Sequence, residues 1–203
     1  MLIISIKEGI IIITKVAHYY SSYLCKKVNR EEEKEVIAYG IEIVLGAVLK
    51  IFTIVLLGFL LGIICEVSIG LIAFSLLRVV SGGFHFQHFL LCYLTSIGGI
   101  SIISYLSKYV LADQDLFTLP LFQSFFFFIV TSILVIFKPL INSNRPYHNK
   151  QNLYLILSIA VVSLLLSFAL FLQKTNPSLS ITINLCVLAQ SLSLIRRKKY
   201  NVS

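Results

Sequence analysis

Six long apolar segments run through this chain and leave few folds open to it. They cover residues 36–64, 67–80, 88–111, 119–137, 153–172 and 181–195 of 203. Hydrophobic residues make up 58% of the chain and charged residues 13%. Average soluble domains hold roughly 45–50% and roughly 25%, so a soluble globule of this size could not cover its apolar side chains. Disorder needs the opposite composition. The fold class that remains is all-α: a polytopic membrane protein with six transmembrane helices. The second segment, with 14 residues, is short against the ~20 that cross a hydrocarbon core. Short spans sit more easily beside another helix than in open lipid, which leads to the expectation of a homodimer.

An amphipathic helix is expected ahead of the first span, over residues 1–27. Lys7, Thr14, His18, Ser21 and Cys25 recur at steps of three, four and seven, and Ile, Val, Leu and Tyr fill most other positions. That stripe suits a helix lying in the headgroup layer; ordinary packing into a core is the alternative. A charged hinge, Lys26 to Glu35, leads to the first span. The reading is of one integral membrane domain over 1–203, with the bundle at 36–195 and a basic tail at 196–203. The N-terminal apolar run Ile10 to Ile13 is too short for a secretory signal.

Charge placement orients the bundle. An even number of spans puts both termini on one side, and that side collects 14 of the 17 basic residues, including Arg78, Lys138, Arg145 and Arg196 to Lys199. The positive-inside rule makes it the cytoplasmic side of the cell membrane. Lys108, Lys174, Glu66, Asp113 and Asp115 fall outside, and Lys50 within the first span. Basic residues dispersed along a membrane face, without a groove-reading motif, exclude nucleic acid as partner. No Cys/His spacing suits a metal, and no cofactor is expected.

One polar island interrupts the apolar runs. From Leu77 to Cys92 the chain reads LRVVSGGFHFQHFLLC. Ionisable residues at membrane depth are costly and usually functional. A cysteine with nearby histidines is the minimum for a thiolate nucleophile and its general base. His85 precedes Cys92 by seven residues, about 10.5 Å along a straight helix. His88 precedes it by four, a spacing that puts side chains about 6 Å apart. Spacing alone therefore favours His88 as base, unless Gly82-Gly83 lets the chain double back and bring His85 close. Cys92 at the start of a span lies near the positive end of the helix dipole, which favours a thiolate. A cysteine in a span is more often plain packing, and both readings stand on spacing.

Arg78, six residues, His85, with Gly82-Gly83-Phe84 before the histidine and Cys92 seven residues after it, resembles the accessory gene regulator B family of bacterial membrane cysteine endopeptidases. The likeness extends to Tyr39-Gly40-Ile41-Glu42 and to Asn144-Arg145-Pro146. Lys138-Pro139 departs from the small residue that many relatives carry before the proline.

The resemblance implies His85 as base ahead of His88, Cys92 as nucleophile, and supporting positions at Arg78 and Gly83. It implies as substrate a pheromone precursor peptide with an acidic C-terminal tail, cleaved and then cyclised as a thiolactone or lactone. It also implies a homodimer. Glu42 is a candidate to orient His85, or else an ion-pair partner of Arg78 or Lys50. Ser81, Gln87 or backbone N–H groups are candidate oxyanion donors. Lys138, Asn144 and Arg145 are candidate substrate contacts, with loop capping as the alternative for the last two. His18, His148, Cys25, Cys65 and Cys186 are read as bystanders. Rival classes are a small membrane transporter or peptide exporter, and a non-catalytic scaffold.

Overall fold

Helix boundaries follow local chemistry. A computed structural model describes residues 2–28, 31–82, 89–112, 120–137 and 151–195, and every regular element among them is helical. α1 spans Leu2–Val28 and ends on Lys26 and Lys27. A 3₁₀ turn, Glu31–Glu33, leads into α2, Lys34–Leu60, which carries Glu35 in its first turn. Cations at a helix C-terminus and carboxylates at an N-terminus both complement the macrodipole. The charged hinge is thus one helix stop followed by one helix start.

α2 stops at a Schellman-type turn. Gly62 has φ +67°, Ile63 N donates to Gly58 O at 2.8 Å, and Gly62 N donates to Phe59 O at 3.2 Å. A left-handed residue in this place favours glycine. The chain then enters α3, Ile64–Ser81, at once. This helix has 18 residues, against the 14 expected. At 1.5 Å per residue it is about 27 Å long, near the ~30 Å of a hydrocarbon core. Span shortness is therefore no longer a reason to expect a second copy. The discrepancy comes from Glu66, expected in an outside loop but placed in the first turn of α3 and only 4% exposed.

The remaining helices are α4, Phe89–Leu106, extended by a π turn at Ser107–Leu111; α5, Pro120–Phe137; α6, Gln151–Leu172; and α7, Pro177–Ile195. Among the described residues five helical stretches are long and apolar enough to cross a membrane: Glu31–Leu60, Ile64–Ser81, Leu90–Leu111, Asn152–Leu172 and Pro177–Leu194. α5 has a shorter described apolar stretch, Phe125–Phe137.

The chain divides into two compact units, Met1–Thr53 and Ile54–Ser203. In the first, the polar stripe expected on α1 splits. His18 is exposed, while Ser21 and Cys25 are buried in step with Ala17. Ser21 Oγ donates to His18 O at 3.0 Å, which satisfies the hydroxyl within its own helix.

In the second unit α7 is the central helix. It packs against α3, α4, α5 and α6. Of its apolar stretch Pro177–Leu194, 56% is buried, against 33% or less in the other four stretches. Leu77, Val130, Leu134, Val162, Ile183 and Val187 form much of the common core. At Gly70 a β-carbon would meet Cys186 Sγ at 3.1 Å and Thr182 Cγ2 at 3.2 Å, so the glycine sets how closely α3 and α7 approach.

Polar side chains on α7 turn inward: Ser180, Thr182, Asn184, Gln190 and Ser191 are buried, whereas Phe171, Val79 and Phe59 are 70–76% exposed. This inversion of the soluble pattern suits a hydrocarbon surround. At the end of the unit where α3 begins, Ser178 Oγ donates to Glu66 Oε1 at 3.1 Å. Lys108 Nζ lies 3.6 Å from Glu66 Oε2 and donates to Gly62 O at 2.6 Å. Glu66 and Lys108, assigned to one side by charge pattern, do meet.

Candidate active site

At its other end, α3 stops on a strained residue. Gly82 has φ +71° and ψ −147°, a region essentially restricted to glycine. Its N–H donates to Arg78 O at 2.9 Å. Its carbonyl accepts from Gln190 Nε2 of α7 at 2.5 Å. Ser81 Oγ, buried beside it, donates to Leu77 O at 2.8 Å. Ser81 is thus bound into its own helix rather than presented to a substrate. Gln190 is wholly buried, and its Oε1 has no hydrogen-bond partner among the described residues.

Cys92 lies in the first turn of α4 and is 7% exposed. It lines a cleft of about 340 Å³ between α3, α4 and α7. Arg78 and Phe74 of α3 form one wall, with the guanidinium carbon 5.8 Å from the Phe74 ring centroid. Thr95, Ser96, Gly99, Ile100 and Ile103 continue the wall of α4, and Ala189, Leu192 and Ser193 close it from α7. The hydroxyls of the lining are engaged by their own helices. Thr95 donates to Leu91 O at 2.7 Å, Ser96 to Cys92 O at 2.7 Å, and Ser193 to Gln190 O at 2.6 Å. The walls are therefore apolar, with a thiol and a guanidinium near one end.

Two of the expected site residues, Arg78 and Cys92, come together on this cleft. Glu42, half-buried on α2, belongs to the other unit, as does Lys50. Gly83, His85, Gln87 and His88 lie outside the described residues, as do Lys138, Asn144, Arg145 and His148. Cys25 and Cys186 are buried, Cys65 is exposed, and none of the three lines the cleft. Sequence reasoning missed Gln190 and Gly99. A buried amide in an otherwise apolar span was the available signal for the first; the second carries no signal until its helix has neighbours.

An all-helical chain with several helices long and apolar enough to cross a membrane, and a cysteine lining an apolar cleft between three helices, is the class that fold and site define. The chain belongs to the accessory gene regulator B (AgrB) family, whose model matches residues 13–194. It is similar to the AgrB-like protein 2 of Clostridium perfringens (strain 13 / Type A), with 28% identity over 137 residues. That alignment covers 64% of this chain and 64% of the relative, so it spans less than two thirds of the relative's length. No solved structure matches the chain.

Proposed function

We propose that the protein is a membrane cysteine endopeptidase and peptide cyclase acting on a pheromone precursor. The carrying observation is that Cys92, at the N-terminus of α4, shares an apolar cleft with Arg78. The thiol sits where a helix dipole supports negative charge.

In this reading Cys92 sulfur attacks the carbonyl carbon of the scissile peptide bond. His85 takes the thiol proton and returns it to the departing amine as the C–N bond breaks. Backbone N–H groups in the first turn of α4 face the developing oxyanion. The C-terminal tail leaves, and the acyl portion stays on Cys92 as a thioester. A thiol or hydroxyl of the bound peptide then attacks the thioester carbonyl, gives its proton to His85 and expels Cys92. The product is a cyclic thiolactone or lactone. One ester-type bond replaces another, so closure needs no nucleotide. Cyclisation competes with hydrolysis, and the low exposure of Cys92 supports the exclusion of water.

The reading includes six spans, with α5 among them, α1 in the headgroup layer and both termini cytoplasmic. Arg78 lies near the end of α3, on the same side as the end of α7 that runs into Arg196 to Lys199, which supports a cytoplasmic mouth for the cleft. A basic rim there would draw an acidic tail, with Lys138, Asn144 and Arg145 as contacts and Glu42 as orienter of His85. A homodimer belongs to the reading on family grounds.

The buried polar row of α7 favours one alternative, a peptide exporter without covalent catalysis. Much of that row is committed to its own helix: Thr182 donates to Ser178 O and Ser191 to Val187 O, each at 2.8 Å. The deciding experiment is co-expression with the cognate precursor and mass spectrometry of the products. Cys92→Ala and Cys92→Ser should leave the precursor uncut. Normal processing by both would sink the proposal, and peptide flux through Cys92→Ala proteoliposomes would favour the exporter.

A further inference from the structure

We infer that the cleft beside Cys92 is a specificity subsite for one large apolar side chain, that of the substrate residue immediately before the scissile bond, and that Gly99 sets its size. The inference rests on the nucleophilic role of Cys92.

Volume restricts the occupant first. About 340 Å³ is at the small end of ligand pockets, roughly 300–1,000 Å³, so it holds a side chain and not a packed helix. Chemistry restricts it next. The serine and threonine hydroxyls of the walls donate to their own helix backbones, and the one charged group of the lining, Arg78, lies at the thiol end, so further along the cleft a polar or charged side chain would be desolvated with few partners. An apolar side chain gains by entering.

Direction decides which side of the cut is held. Cys92, Ser96, Gly99 and Ile103 form one stripe of α4, about 16 Å long at 1.5 Å per residue, which leads from the thiol into the bundle. The leaving segment must depart towards water. The acyl segment must remain through the thioester stage, so it is the part that belongs in the cleft.

Gly99 is where the cleft gets its width. A β-carbon at Gly99 meets nothing within 4 Å, so a larger residue there would project into open space rather than into packing. Gly98, its neighbour, is equally unobstructed but does not line the cleft. The pair separates occlusion of the cleft from the general effect of replacing a helical glycine.

The test uses the full chain in proteoliposomes and precursors carrying Ala, Leu or Phe before the cut, with the same series after the cut. The wild type should cleave the Leu and Phe forms at least about tenfold more efficiently than the Ala form, a discrimination typical of apolar pockets. Gly99→Leu should lower kcat/KM for Leu and Phe by about tenfold or more and leave the Ala form within about twofold. Gly98→Leu should keep the wild-type preference. Three results would overturn the proposal: Gly99→Leu slowing all substrates alike, a preference that follows the residue after the cut, or a preference unchanged by Gly99→Leu, as a cleft filled only by a lipid chain would give. Failure of the nucleophile assignment is read separately, from cleavage by Cys92→Ala.

Discussion

Gln190→Leu isolates what the amide clamp on Gly82 does. Gln190 Nε2 lies 2.5 Å from Gly82 O, and the side chain is fully buried. Removing the donor leaves a part-buried carbonyl with only the longer contact from Ser81 Oγ at 3.3 Å, which costs at most about 1–3 kcal/mol. The same change removes Gln190 Oε1, a buried acceptor with no hydrogen-bond partner among the described residues, and so relieves a penalty of similar size, about 1–3 kcal/mol. Leucine keeps most of the volume. The two terms offset, so thermal unfolding in detergent should shift little, by about 1 kcal/mol or less. Turnover should not be spared. Gly82 holds a backbone conformation that costs about 1–3 kcal/mol for other residues, and it precedes the segment that carries His85. Without the clamp its carbonyl can swing, and kcat for precursor cleavage should fall about tenfold, or about 1.4 kcal/mol of barrier. KM should change little, because the cleft walls keep their side chains. Gln190→Leu protein that is folded and turns over at the wild-type rate would refute this reasoning.

Other expectations follow from the same geometry. His85→Ala should abolish precursor cleavage while His88→Ala retains it; the reverse result in a mass-spectrometric assay would make His88 the base. Gly70→Val should destabilise by about 1–3 kcal/mol through overpacking against Cys186 and Thr182, and Cys186→Ala should recover part of the loss in thermal unfolding. Lys108→Met should lower stability more than Glu66→Gln, because the first leaves a buried carboxylate without its cation while the second keeps the Ser178 bond and frees a lysine whose side chain is 35% exposed. Equal losses would mean the ion pair adds nothing beyond the hydrogen bond. Cys65, exposed at the start of α3, should react in intact cells with an impermeant maleimide, whereas buried Cys186 should not; protection of Cys65 until the membrane is opened would invert the proposed orientation.

Much of the helical layout is legible in the amino-acid sequence. Apolar runs long enough for helices, a charged hinge and a Gly-Gly break mark helix positions because backbone groups in lipid must pair within their own segment. That demand is local, so sequence alone carries it. The helix boundaries of α5 and α6 agree with expectation to within two residues. Arg78 and Cys92 stood out for the same reason, since a polar group in an apolar run is visible without a partner.

What sequence could not supply was neighbourhood. Glu66 reads as a loop carboxylate until Ser178 and Lys108 are seen beside it. Gln190 reads as one polar residue in a span until its amide meets Gly82. Gly99 carries no signal at all, because an empty space is a property of the helices around it. By itself the sequence determined the helical membrane class and the short list of reactive groups, through local pairing and the cost of polarity in lipid. Only the tertiary structure decided that α7 is the centre, that its polar side faces inward, and that the thiol opens on an apolar cleft. Those outcomes depend on contacts between residues about a hundred positions apart, such as Ser81 with Gln190, and no local periodicity encodes them.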